Sequence, residues 1–590
     1  MKKVLLFLLF LGTIAALVYF IFFFKKEVNE FSPLTTTYTS FKTDGIADIT
    51  AEEAIVVKAS QTANVGLAAS GGGSRALTAT LGYYRGLTHL GLMNNVRYIS
   101  SVSGGAWASI SYTYLPKTIK DRDFLGQAVG NPKSLYWGKA NDSKPANIAH
   151  LSANNLGNTP GRLGLKKLAE TAALEKAKYH YPLNQAWIRA IGKLVLHPYG
   201  LADVYEDKND LPTYGKPTKY YSLNEKSAQK LIDLNPSLTL SDFQLVERKR
   251  PLLIVNTSIF ETTAPGATLL PVESTPLAMG IRGTFLGKGI GGRDIGGGFV
   301  PPFAFGTKNQ EVLEEGKAKV MNYERFSLSD IAGLSSATFA EGFETSNRKF
   351  DTFIPKFYYW PIANVEEDRN QATVNWFADG GNLENTGINA LLARKVPTIV
   401  SFVNCAEKIK KMDNGLIFLD YQISSLFGYM PLGDSTHYTL YKDVKKVPVA
   451  NIGFQNNQVF PSEDFKIVQE GLWEAKQAGG PVMFLQKLTT VENPYFDVEG
   501  GQEVTIVWSY LNKADKWFDG LSPKLRKKIA DNPKDFSTFP TYATEKQLHL
   551  NAAQVNLMSQ MTTWSIIQDE YVLPSAGKTS KALFEELLGQ

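Results

Sequence analysis

The sequence predicts an α/β fold built on a central, mostly parallel sheet, and three observations carry that expectation. Residues 63–115 read as apolar strand, glycine loop, helix, strand and serine turn in unbroken succession. Such a unit closes through a right-handed crossover and brings both loops to the carboxyl edge of a parallel sheet. Residues 372–403 repeat the scheme as strand, Asp379-Gly-Gly, helix and strand. Finally, 590 residues with 44% hydrophobic and 20% charged side chains suffice for a large core, and that composition argues against disorder.

In chain order, Val4 to Phe24 is apolar almost throughout, long enough for a helix to cross a hydrocarbon core of roughly 30 Å. A cleaved signal peptide would carry an apolar region of about 7 to 15 residues ending at small residues. This run instead continues through Leu17 to Lys25-Lys26. Residues 1–26 are therefore expected to form an uncleaved single-pass membrane anchor. Two lysines flank each end, and the free amino terminus tips the positive-inside rule toward a body on the non-cytoplasmic side. Polar residues 27–61 read as a tether with a leading strand, and 62–590 as the body.

The strand Val65 to Ala69 runs into Gly71-Gly72-Gly73. Glycines there can take φ > 0 and expose N–H groups beside the next helix N-terminus, a place for negative charge and half of an oxyanion hole. The helix beginning near Arg75 carries Leu77, Leu81, Tyr84 and Leu87 at helical spacing and stops at Gly91. The strand Val96 to Val102 then delivers Ser103 into Ser-Val-Ser-Gly-Gly, ahead of the helical run Ala106 to Leu115. This pattern is a nucleophile elbow, with Ser101 standing where Gly-x-Ser-x-Gly has its first glycine.

Residues 116–250 form a long insertion, loop-rich over Asn131 to Asn158 and helical over Leu165 to Tyr179 and Gln185 to Leu196. It is expected to cap the site or to decorate the periphery. A strand at Leu252 to Asn256 resumes the α/β pattern. Gly287 to Gly298 reads as an irregular loop, and Ser327 to Ala340 as a helix of small residues. Next come the strand Ala372 to Ala378, a helix over Asn385 to Arg394 and the strand Thr398 to Val403. Strands at Pro481 to Leu485 and Glu503 to Trp508 and a helix over Leu548 to Ile567 follow. Strand-then-helix order at both loops places Asp379 at the same sheet edge as Ser103.

The net charge of +5 includes four lysines at positions 2, 3, 25 and 26, so nucleic acid is not an expected partner. A single cysteine, Cys405, rules out an internal disulfide and reads as a small buried residue. The six histidines are scattered without zinc-type spacing, and no metal or other cofactor is expected.

Ser70-Gly-Gly-Gly-Ser-Arg75-Ala76 with Ser103-Gly-Gly and Asp379-Gly-Gly resembles the cytosolic phospholipase A2 and fungal lysophospholipase B family. In order, Pro251-Leu-Leu-Ile-Val-Asn256-Thr, Glu273-Ser-Thr-Pro276, Phe299-Val-Pro-Pro, Phe377-Ala-Asp379-Gly-Gly-Asn-Leu-Glu384-Asn385 and Phe539-Pro-Thr-Tyr542 fit the same pattern. The resemblance spans about Ala63 to Glu570. It implies a three-layer, patatin-like core and a catalytic domain over 62–590. It further implies a serine-aspartate dyad of Ser103 and Asp379, oxyanion donors at the Gly72 and Gly73 N–H groups, and substrate phosphate at Arg75. The N–H of Gly104, just after the nucleophile, is inferred as a third donor. A cation in the first turn of a helix opposes the macrodipole, so Arg75 either meets an anionic substrate or forms a salt bridge that orders the loop.

The implied function is a membrane-anchored acyl hydrolase releasing fatty acids from glycerophospholipids or lysophospholipids, with that lipid and the membrane as its only expected partners. An acyltransferase using the same acyl-enzyme and a catalytically idle lipid-binding or scaffold protein are the alternatives. Composition also permits a Ser-Asp-His triad through His437 or His549, while His89, on the helix after the glycine loop, reads as an ordinary packed or surface histidine. None of these sits at a strand end beside a glycine turn, and the resemblance implies catalysis without histidine.

Overall fold

The computed structural model of the chain describes residues 34–39, 41–42, 63–179, 181–202, 219–262, 267–312, 317–322, 325–341, 351–359, 372–431, 437–445, 447–543 and 548–589. Its core is a 12-stranded sheet. In chain order the strands are β1 (Phe41–Lys42), β2 (Val65–Ala69), β3 (Tyr98–Val102), β4 (Leu252–Phe260), β5 (Leu269–Ser274) and β6 (Met279–Phe285). They continue as β7 (Ile295–Val300), β8 (Lys356–Tyr359), β9 (Thr373–Asp379), β10 (Thr398–Val403), β11 (Met483–Thr489) and β12 (Glu503–Tyr510).

The centre runs β4-β3-β2-β10-β12, all parallel. These strands are short runs rich in Val, Ile, Leu and Ala and almost wholly buried, as a sheet covered on both faces requires. Outside this centre the remaining strands join antiparallel: β5, β6, β7 and β1 beyond β4, and β11 beyond β12.

Helices cover both faces. A Cβ on Gly66 of β2 would lie 2.9 Å from Leu391, so that face carries the short helix Ile388–Leu392. Successive residues of a strand alternate faces. Phe402, in register with Ala69, accordingly turns to the opposite side and stacks on Tyr83 of the helix α1 (Gly73–His89), ring centroids 4.2 Å apart. α1 in turn packs against the helix Ala552–Ile567 through Gly82, where a Cβ would meet Thr562 Oγ1 at 1.9 Å. The Thr562 and Thr563 hydroxyls donate to Ala79 O and Gly82 O at 3.1 and 2.8 Å, so polar groups are satisfied at this close crossing.

The insertion contains the helix Leu165–Tyr179 and a second helix, Ala186–Ile191, that continues as a π-turn over Gly192–Leu196. Its two ends are tied together at Asp121, which pairs with Arg248 at 2.5 Å and Arg250 at 2.6 Å.

Several expectations need correction. The single-pass membrane localisation is corrected: among the described residues no helix is long and apolar enough to cross a membrane. The apolar run at 4–24 and most of the tether lie outside those residues. The glycine-rich stretch 287–298 is a loop only in its first part. Its end forms β7, paired with β6 through a register shift between Gly296 and Gly298, because glycine tolerates the positive φ of 93° that Gly296 adopts there. Finally, β9 does not run parallel to the central strands. It pairs antiparallel with β4, a direction that periodicity within one strand does not encode.

Candidate active site

The direction of β9 explains why two residues 276 positions apart meet. β3 lies along one edge of β4 and ends with Val102 opposite Asn256. β9 enters along the same edge from the other direction and ends with Asp379 opposite Thr257, the next residue of β4. The two strands thus terminate head to head. The side chains of β4 hold the newcomer, with Thr257 Oγ1 donating to Ala378 O at 2.9 Å and Ser258 Oγ to Asp379 O at 3.0 Å.

Ser103 turns sharply out of β3 into the helix α2 (Ser103–Thr113) with φ 53°. Among the described residues only Lys395 and Asp497 are other non-glycine positions with positive φ, a conformation that surroundings must impose. The hydroxyl so presented donates to Asp379 Oδ2 at 2.8 Å. Asp379 Oδ1 accepts the Gly381 N–H at 2.7 Å. Burial pushes the Asp379 carboxyl up from an aspartate's ordinary 3.8 to about 7, and the hydrogen bonds from Gly381 and Ser103 oppose that rise. A carboxylate that titrates near neutrality is suited to take a proton and give it back.

The glycine loop lies directly against this pair. A Cβ on Gly71 would lie 3.0 Å from Ser103 Cβ, and one on Gly104 would lie 2.1 Å from Gly73 O and 2.7 Å from Gly73 N. No larger residue fits at Gly104 unless the loop moves. Gly72 and Gly73 have φ of 133° and 53°, and Gly73 and Gly104 sit in the first turns of α1 and α2, where N–H groups have no partner within the helix. Ser101, at the position of the missing glycine, is fully buried with its hydroxyl 3.4 Å from Ile254 O.

Arg75 is buried, its Nε donating to Asn404 O at 3.0 Å and its Nη1 to Tyr542 O. Asn404, which follows β10, also grips the loop from the other side, through its N–H to Ser70 Oγ at 2.7 Å and its Nδ2 to Ser70 O at 3.1 Å. The guanidinium therefore joins the glycine loop to the β10 end and to the Phe539–Tyr542 segment.

Sequence reasoning missed three residues. Asn385 joins the two loops: its Oδ1 accepts the Gly71 N–H at 3.1 Å, and it would lie 2.5 Å from a Cβ on Gly381. It stands in the quoted Asp379 motif, so a polar side chain six residues beyond the acid was a usable signal. Asn404 offered a weaker one, following directly on an apolar strand. Ser335, whose Oγ accepts the Ser103 N–H at 2.9 Å, lies in a plain Leu-Ser-Ser-Ala run and gave none.

Among the described residues no histidine hydrogen-bonds Ser103 or Asp379. His89 ends α1 at the surface, and the exposed His549 places its Nδ1 3.3 Å from Leu163 O. The same residues contain no cluster of three or more metal-ligating side chains. Cys405 is fully buried with its Sγ 3.3 Å from Leu511 O, and burial pushes its thiol well up.

No protein-family model matches the chain, and no curated protein matches it. Three solved structures of human GIVD cytosolic phospholipase A2 are similar at 13% identity. One covers 94% of this chain and 66% of that one with a TM-score of 0.44. A second, in complex with methyl gamma-linolenyl fluorophosphonate inhibitor and terbium chloride, covers 92% and 62% with a TM-score of 0.41. A third, with methyl gamma-linolenyl fluorophosphonate, covers 91% and 61% with a TM-score of 0.42. The chain thus spans less than two thirds of the length of the structures it matches, and a likeness this distant concerns the path of the chain and leaves the chemistry to the residues.

Proposed function

We propose that the protein is a lipid acyl hydrolase of the phospholipase A2 or lysophospholipase type, working through a Ser103–Asp379 dyad. The observation that carries the proposal is the 2.8 Å hydrogen bond from a serine held at positive φ at a strand-helix turn to a buried carboxylate. The glycerophospholipid or lysophospholipid substrate comes from the motif resemblance.

In the first step Ser103 Oγ attacks the acyl carbonyl carbon while its proton passes to Asp379 Oδ2. The tetrahedral oxyanion is held by backbone N–H donors, for which Gly72, Gly73 and Gly104 are the candidates; losing one such donor costs roughly 100- to 1000-fold in rate. Collapse breaks the ester bond, and the departing alcohol oxygen takes the proton from Asp379. Water then attacks the acyl-enzyme, giving a proton to Asp379. That proton returns to Ser103 Oγ as the fatty acid leaves.

Arg75 contacts the substrate phosphate and also orders the glycine loop, a role that its bond to Asn404 O supports. The insertion 116–250 is assigned a capping role, supported by Trp187, whose indole reaches Gly333 O at 3.1 Å beside the active-site turn.

The test is labelling with a fluorophosphonate probe together with fatty acid release from lysophospholipid and phospholipid in water. Wild type should be labelled at Ser103 and release free acid, and Ser103→Ala should do neither. A folded wild-type protein that binds phospholipid yet takes no label would refute the enzyme reading. Acyl transfer to an added alcohol without free acid would make it a transferase.

A further inference from the structure

The nucleophile and the base are both held, through their backbones, by one short turn that belongs to none of the motifs. The turn follows the helix Leu328–Leu334. Its first residue, Ser335, is fully buried. Ser335 Oγ accepts the Ser103 N–H at 2.9 Å and donates its own proton to Asn256 O at 2.7 Å. Two residues later Ala337 O accepts the Asp379 N–H at 3.4 Å. Between them Ser336 Oγ donates to Ala332 O at 2.7 Å, closing the turn on its own helix.

We infer that Ser335 is a positioning residue for the nucleophile, and that the insertion locks it in place through Trp187; the inference rests on Ser103 being the nucleophile. Three physical points support it. A serine at φ 53° keeps that conformation only where its surroundings over-determine it, and the Ser335 hydroxyl is the acceptor that fixes the Ser103 N–H. That hydroxyl has a single proton, already directed at a carbonyl of β4, so its lone pairs are oriented by the sheet and not by a mobile group. The turn is in turn clamped from the insertion. Trp187 Nε1 donates to Gly333 O at 3.1 Å and lies 3.3 Å from Ser336 Oγ, while its ring meets Phe339 edge-on with centroids 5.4 Å apart.

Removing the Ser335 hydroxyl leaves the Ser103 N–H buried without that acceptor. The elbow then relaxes away from positive φ, and Ser103 Oγ swings off Asp379. Misplacement of a reacting group by about 1 Å costs on the order of 100-fold. The loss falls on the reaction of the hydroxyl and not on substrate binding, which sets it apart from a merely structural defect.

The experiment compares the full chain as wild type, Ser335→Ala and Trp187→Phe. It measures the second-order rate of fluorophosphonate labelling per folded molecule, kcat and KM on a monomeric short-chain ester, and thermal unfolding. For Ser335→Ala, labelling rate and kcat should fall together by roughly ten- to a hundredfold, with KM within about threefold of wild type. Trp187→Phe keeps a ring beside Phe339 but lacks the N–H, and should show the same pattern at roughly three- to tenfold. Labelling of folded Ser335→Ala within about twofold of wild type, or a loss confined to KM, would overturn the positioning role. If Ser335→Ala does not fold, Trp187→Phe decides by the same criteria. Wild-type protein that takes no label at Ser103 would overturn the proposed function itself and the brace with it.

Discussion

Replacing Asp379 by asparagine should abolish turnover and, at alkaline pH, make the folded protein more stable. The carboxyl is 2% exposed, and burial raises it from an aspartate's ordinary 3.8 to about 7 against the two hydrogen bonds it accepts. A group whose folded pKa lies above its unfolded one binds its proton more tightly when folded. Its contribution favours folding below the unfolded value and is lost as pH rises toward the folded value, here between about 4 and about 7. At about 1.4 kcal/mol per pH unit, the whole interval amounts to about 4 kcal/mol, of which about 2–3 kcal/mol falls between pH 5 and pH 8.5. An asparagine amide has nearly the same shape. Its oxygen can accept the Gly381 N–H that now reaches Oδ1 at 2.7 Å, and its Nδ2 can donate to Ser103 Oγ in place of accepting from it. The substitution therefore removes a buried charge and leaves few atoms unpaired. Thermal or denaturant unfolding of both proteins at pH 5 and pH 8.5 measures the effect: the advantage of Asp379→Asn should grow by about 2–3 kcal/mol between the two. An advantage that is the same at both pH values, or a variant less stable than wild type at pH 8.5, would refute the reasoning, since either requires the carboxylate to be well stabilised in place.

The same titration predicts that kcat/KM on a soluble ester rises about tenfold per pH unit below neutrality and levels off above an apparent pKa near 7; a profile flat from pH 5 to 8 would exclude Asp379 as the base. Arg75→Ala should lower activity by roughly a hundredfold on a neutral ester as well as on a phospholipid, because the side chain anchors the glycine loop, where the oxyanion donors are proposed, to Asn404 O; full retention on the neutral ester would reduce its role to phosphate binding. His89→Ala, His437→Ala and His549→Ala should each keep turnover within roughly tenfold, against the 10²- to 10⁴-fold loss expected on removing a general base, and a folded variant that lost both turnover and labelling would restore a triad.

The sequence by itself determined the local parts of this site. β2 and β10 have the bounds read from their apolar runs, as does the helix Leu165–Tyr179, because consecutive residues set burial and helical spacing. The serine turn was legible for the same reason: small residues after an apolar strand are a local signal, and the structure finds Ser103 at the head of α2 with its backbone strained. The helix expected over 385–394 is shorter, Ile388–Leu392, since Gly387 at φ 77° starts it late and Glu384 folds back on the N–H groups of Thr386 and Gly387. Only the tertiary structure decided how the parts meet. The direction of β9, the head-to-head approach of Val102 and Asp379 along β4, and the raised titration of Asp379 depend on neighbours far away in the chain. Ser335, 232 residues from Ser103, and Asn385, 314 from Gly71, act through hydrogen bonds whose partners no local pattern names. Burial and pairing of polar groups are properties of the assembled core, so the chemistry of the residues could be read along the chain, whereas their geometry could be read only across it.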